Sequence, residues 1–111
     1  MGVALQRVTI DECKKLHEMQ IRGFRVLLEK YQDFDTSPGA ETLEKVRWRF
    51  GFDFVTHYWI CLCAEKIGCI RIREMEDGAC HLSQMFILPA FQGHGYAQEA
   101  IRLAEVKYPQ A

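Results

Sequence analysis

The sequence has no surplus of either charge: 14 lysines and arginines stand against 15 acidic residues, a formal net charge of −1. Nucleic-acid binding draws on a basic excess that neutralises phosphates, so that class is set aside. Long apolar runs are missing too. None approaches the roughly twenty residues that span a bilayer, and residues 1–10 lack the layout of a secretion signal, so the expectation is a cytoplasmic chain without membrane association. The five cysteines include no C-x-x-C knuckle. A zinc site drawn from Cys61, Cys63, Cys69, Cys80 and His81 therefore ranks below the simpler reading of reduced thiols packed as small hydrophobes, and no metal is expected. What is present is an ordinary globular composition, 49% hydrophobic and 26% charged over 111 residues. That is enough for one domain, residues 1–111, and too little for two.

The elements read in chain order as follows. Val3 to Thr9 predicts a first strand. Thr9, Ile10, Asp11 and Glu12 then match a capping box, in which a hydroxyl and a carboxylate each satisfy an orphan amide. The helix it opens should run to about Tyr31, with Cys13, Leu16, Gln20, Phe24, Leu27, Leu28 and Tyr31 on one stripe. Gly23 interrupts that helix, which implies close packing or a bend. Ser37 followed by Pro38 predicts the cap of a second helix reaching Gly51. Val55 to Ala64 is too uniformly apolar for a strand with a wet face. Glu65 and Lys66 should turn it into a strand over Ile67 to Glu74. Asp77 and Gly78 signal a type I′ hairpin turn, and a fourth strand follows from about Cys80 to Leu88. Three consecutive strands joined by tight turns form an antiparallel meander, so the fold class is α+β in the order β-α-α-β-β-β-α.

The stretch from Met85 to Ala104, MFILPAFQGHGYAQEAIRLA, carries the chemistry. Met85 to Leu88 are a buried strand end, and Pro89, lacking an amide hydrogen, stops the ladder. Beyond Gly95, Ala97, Ala100, Ile101 and Ala104 share one helical face. The first amides of such a helix have no partner within it, and the aligned peptide dipoles put positive potential there, so an anion is the natural occupant. Gly93 and Gly95 let the backbone turn at positive φ and come close to a phosphate.

Ile87 to Ala97, IxPxxQGxGYA, resembles the acetyl-CoA signature Q/R-x-x-G-x-G/A of the Gcn5-related N-acetyltransferases (GNAT), with Gln92, Gly95 and Ala97 in the fixed places. The dinucleotide fingerprint G-x-G-x-x-G fits less well, because Gln98 stands where its third small residue belongs. The resemblance implies acetyl-CoA as co-substrate and direct attack of a primary amine on the thioester, catalysed largely by holding two reactants in line. It implies that backbone groups of Met85, Phe86 and Ile87 meet the pantetheine arm. Gln92, Gly93, His94, Gly95, Tyr96 and Ala97 would take the pyrophosphate through main-chain amides, so the side chains of His94 and Tyr96 matter little.

For the acceptor side, the resemblance points to the region between the first two strands, where Asp33, Asp35, Glu41 and Glu44 offer carboxylates to an amine of a small molecule or protein. A protonated amine must lose a proton. Some relatives carry a glutamate eleven residues before the glutamine; His81 occupies that place and is the candidate base, histidine being a side chain that titrates near neutral pH. Glu74 and Glu76 are weaker candidates, and His17 and His57 read as structural. In the family further strands and a tyrosine-bearing helix follow, whereas this sequence ends soon after Pro109, so it looks like a truncated form. The alternative to an enzyme is then a non-catalytic acyl-CoA-binding module that forms a homodimer through its open sheet edge.

Overall fold

The computed structural model describes residues 2–31 and 42–108, with side chains described over 2–24 and 42–108. Its elements are β1 (Val3–Arg7), α1 (Cys13–Tyr31), α2 (Leu43–Phe50), β2 (Val55–Leu62), β3 (Glu65–Glu74), β4 (Cys80–Ile87) and α3 (Tyr96–Lys107). The strands lie in the order β1-β2-β3-β4, every neighbouring pair antiparallel. This is the mixed α+β order, with its meander, that the sequence predicts.

Successive side chains of a strand point to opposite faces, and β2 has both faces covered. Ile60 joins Ile67, Ile70, Ile72 and Ile87 against Ala100 and Ala104 of α3. Trp59 joins Cys69 and Phe86 against Leu16 and Met19 of α1 and Val46 of α2. Trp59, Ile60, Ile67 and Ile70 are fully buried. Each such side chain contributes about 1.5–3 kcal/mol over an exposed one, so these two layers hold the sheet between its helices. Helix α3 is fixed at both ends. The Val3 amide donates to Glu99 Oε1 at 3.1 Å near its start, and the Tyr58 and Tyr108 hydroxyls meet at 2.6 Å beyond its end.

The capping box forms as expected. The Thr9 amide donates to Glu12 Oε1 at 3.0 Å and its hydroxyl to the same oxygen at 3.2 Å, opening a single 3-10 turn, Ile10–Glu12, that leads into α1. Accepting the Thr9 amide is also the main reason the Glu12 carboxyl is held below its usual value. Gly23 packs closely, as expected: a Cβ there would lie 2.7 Å from Phe86 Cδ1. Leu27, Leu28 and Tyr31 of the expected stripe have side chains outside the described set.

Three local readings are corrected. Helix α2 is capped by Thr42, whose hydroxyl accepts the Lys45 amide at 3.2 Å; Ser37 and Pro38 lie outside the described residues. The β2–β3 turn is Cys63-Ala64, not Glu65-Lys66, since Leu62 pairs with Glu65. Cys63 adopts φ 57, an uncommon conformation for a residue with a Cβ, and this is why polarity alone misplaced the turn. At Asp77-Gly78 only Gly78 has positive φ, so the connection is not type I′. It is instead a longer loop closed by Gly78 N to Met75 O (3.0 Å) and Met75 N to Ala79 O (2.7 Å).

Candidate active site

Pro89 ends β4 and opens a 3-10 turn, Pro89–Phe91, which throws the chain away from the sheet. The Gln92 amide closes that turn on Pro89 O at 3.3 Å, so it is not a free donor. The Gln92 side chain reaches back instead, Nε2 donating to Ile87 O at 2.8 Å, and ties the loop to the last residue of the strand. Gly93 and Gly95 follow at φ 83 and φ 80, and Gly95 is the residue from which α3 starts. The amides of Tyr96, Ala97 and Gln98 open the helix and so have no carbonyl one turn earlier to bond. Among the described residues no backbone bond engages an amide from Gly93 to Gln98.

These amides border an open cleft of about 540 Å³ along the outer edge of β4. Met85, Phe86 and Ile87 form one wall, and Gly93, Gly95, Tyr96 and Ala97 close one end beside Gln92. Gly23 and Phe24 of α1 form the other wall, with the Phe24 and Phe86 rings edge to face at 5.4 Å between centroids. Eight of the nine residues expected at a cofactor thus come together. The ninth, His94, is exposed, its ring 5.6 Å from that of Tyr96, and it does not line the cleft. Sequence reasoning missed Gly23, Phe24, Phe91 and Gln98 as lining residues. The one available signal was the glycine in α1, which marked a close approach without naming its partner.

The cleft fits an elongated ligand with an anionic group. Unbonded amides converge at one end with the positive pole of α3 behind them, and the two glycines have nothing within 4 Å of a Cβ position. The apolar wall along Met85–Ile87 suits a methylene-rich arm.

His81 lies elsewhere. It is exposed near the start of β4, opposite Arg73, roughly 13 Å along the strand from Met85. Between the two, the β3–β4 register slips so that Ser83 is an extra residue, its Oγ accepting from Arg71 Nε at 2.9 Å. Glu74 and Glu76 are exposed on the hairpin beyond. Asp33, Asp35 and Glu41 fall outside the described residues, and Glu44 is exposed in the first turn of α2. His57 is buried and stacks on Phe50 at 4.5 Å, a packing role.

The cysteines are dispersed. Cys63 sits exposed in a turn rather than beside Cys61 on a strand face, and burial pushes the thiol of Cys61 up and that of Cys69 to about 12. Among the described residues no three His, Cys, Asp or Glu side chains gather as a metal site would need, and no helix is long and apolar enough to cross a membrane.

The chain belongs to the acetyltransferase (GNAT) family, whose profile matches residues 16–111. The fold is similar to that of an acetyltransferase from Thermus thermophilus, with TM-score 0.76 and 17% identity over 100% of this chain and 72% of the other. It is similar also to a Salmonella typhimurium acetyl transferase that modifies the N-terminal serine of ribosomal protein L7/L12 (TM-score 0.72, 18% identity, 98% of this chain, 64% of that one). A third similar structure is AAC(6′)-Ib bound to ribostamycin and coenzyme A (TM-score 0.74, 18% identity, 96% and 66%). The chain therefore spans about two-thirds of the length of these structures. No curated protein sequence matches it.

Proposed function

We propose that this chain is the acetyl-CoA-binding part of an N-acetyltransferase acting on a primary amine of a small molecule or a protein, in a reducing cytoplasm where its thiols stay free. The observation that carries this reading is the set of unbonded amides from Gly93 to Gln98 at the end of a cleft along β4. Two of the similar proteins are acetyltransferases of very different acceptors by their names, a ribosomal protein and an aminoglycoside, which supports the reaction and leaves the acceptor open.

When bound, acetyl-CoA supplies an activated acyl group. The amides of Gly93, His94, Gly95, Tyr96 and Ala97 bind its diphosphate, and Gln92 keeps the loop in register with β4 through Ile87 O. Backbone groups of Met85, Phe86 and Ile87 hold the pantetheine arm as an added strand on the edge of β4 that is unpaired among the described residues, and an amide there polarises the carbonyl. His81, beyond the slip at Ser83, open to solvent and roughly 13 Å along β4 from Met85, takes the proton from the incoming amine through a chain of several waters. Calorimetric titration with coenzyme A tests the binding step; a parent chain that gives no saturable heat overturns the reading.

A second reading follows from β4 being an edge strand among the described residues. A non-catalytic acyl-CoA-binding module would pair this edge with a second copy. A chain that sediments as a monomer and converts acetyl-CoA and a primary amine into coenzyme A and the N-acetyl amine would reject it.

A further inference from the structure

A second groove, of about 280 Å³, lies on the α1–α2 face of the sheet beside the exposed start of β4. One side of it is aromatic. The Trp48 ring, near the end of α2, meets Phe52 edge to face at 4.7 Å, and Phe52 lies 5.1 Å from Phe54, so three rings run in file from the helix to the start of β2. Trp48 and Phe54 are both exposed, and exposed rings grouped in this way, unlike a lone one, mark a binding surface.

The other side is basic. Cys69, Arg71 and Arg73 alternate along β3, so the two arginines share the face on which Cys69 packs in the α1–α2 layer. Arg71 is held in place by Ser83, its Nε donating to Oγ at 2.9 Å. Arg73 stands with its guanidinium carbon 5.4 Å from the centre of the Phe54 ring and makes no ion pair among the described residues. Arg49 adds a third cation to the lining, and no described carboxylate lines the groove. Glu74, Glu76 and Asp77 line a separate cleft of about 590 Å³ at the hairpin, which Arg73 and Phe54 also border. Of these acids, Glu74 follows Arg73 and so projects to the opposite face, and Asp77 Oδ1 accepts the Ala79 amide at 2.9 Å within its own loop.

Position ties this groove to the reaction. Arg73 is the cross-strand partner of His81 and Arg71 that of Gln84, which adjoins Met85 at the cleft along β4. A molecule anchored on the two arginines therefore lies between His81 and the wall proposed for the pantetheine arm. Arginines beside a row of rings complement an anion attached to an apolar body, and they repel a second ammonium. We propose that this groove seats the acceptor and that the acceptor is a small amino carboxylate of amino-acid size. Its carboxylate meets Arg71 and Arg73, its apolar side chain lies along Phe52 and Phe54, and its amine points toward Gln84 and Met85. The inference rests on the reading of the chain as an N-acetyltransferase and narrows its acceptor. The amine nitrogen bonds the acetyl carbon as the carbon–sulfur bond breaks. Of the two protons the ammonium gives up, one ends on the coenzyme A thiolate and the other reaches solvent by way of His81.

The test is calorimetric titration of the chain with L-phenylalanine, with phenethylamine, which is the same molecule without its carboxylate, and with spermidine, each with and without coenzyme A. The parent should bind phenylalanine about tenfold tighter than phenethylamine, as expected for partly exposed charge-assisted contacts to a carboxylate, and spermidine no tighter than phenethylamine. Arg73→Ala should lose most of that preference by weakening phenylalanine alone, and Arg73→Lys should keep part of it. Phe54→Ala should weaken phenylalanine and phenethylamine by similar factors, since both carry the ring. Equal binding of those two ligands by the parent, tightest binding of spermidine, a preference that survives Arg73→Ala, or no binding of phenylalanine overturns the inference and leaves the acetyl-CoA reading standing. Saturable heat from an oligodeoxythymidylate with none from phenylalanine overturns it in favour of a nucleic-acid surface. Failure of coenzyme A to bind overturns the acetyl-CoA reading and the acceptor role together.

Discussion

The two halves of β4 are built on opposite terms. From Phe86 to Leu88 the strand is buried, clasped by α1 on one face and α3 on the other, and α1 gives up a side chain at Gly23 to come that close. From His81 to Ser83 it is exposed and its register with β3 slips, with Ser83 Oγ accepting from Arg71 Nε and donating to Arg71 O beside the slip. Burial and close packing are concentrated next to the unbonded amides, and a diphosphate held by main-chain donors depends on backbone position. The open half has room for a reactant to arrive and leave.

The sharpest way to break this contrast is Gly95→Glu. It places a carboxylate among the amides and asks a residue with a Cβ to hold φ 80, so coenzyme A binding should be lost to calorimetry; affinity equal to the parent's would defeat the cradle. Phe86→Ala should lower stability by about 3–5 kcal/mol in urea unfolding, against less than ~1 kcal/mol for Leu82→Ala in the exposed half. Similar losses at the two positions would erase the distinction between the halves. His81→Ala should slow acetyl transfer to a panel of primary amines by roughly a hundredfold, the usual scale for a general base, while the urea midpoint stays put. An unchanged rate would remove His81 from the mechanism. Gln92→Ala removes the bond to Ile87 O, leaves a strand-end carbonyl unpaired, and should weaken coenzyme A by about tenfold. Last, His94→Ala should change that affinity by only about twofold, since an exposed surface substitution leaves the amide in place; a large loss would mean the imidazole itself binds.

Much of this was legible in the sequence because the signals were periodic or positional. Strand, proline, paired glycines and an alanine-rich helical face located the joint between β4 and α3, and eight of the nine residues expected at the cofactor fall together there. Turn chemistry was less legible. Cys63 accepts a conformation that favours glycine or asparagine, so the β2–β3 hairpin closes two residues before the polar pair that signalled it. Thr42 caps α2 where Ser37 with Pro38 gave the stronger local pattern. The fate of individual amides was hidden as well, since nothing in the motif distinguishes Gln92, whose N–H closes a 3-10 turn, from Gly93, whose N–H is open. Lining from α1 could not be read, because Gly23 and Phe86 are more than sixty residues apart and only the folded chain sets them face to face.

That pairing has a consequence for how such a chain can change over generations. An alanine at position 23 would push on the ring of Phe86, and a smaller residue at 86 would leave a hole under the helix, so either step taken alone is penalised. The two positions behave as one locus: a bulkier helix residue becomes admissible only in a background where the ring has already shrunk, and in that background the width of the groove beside the strand is reset as well.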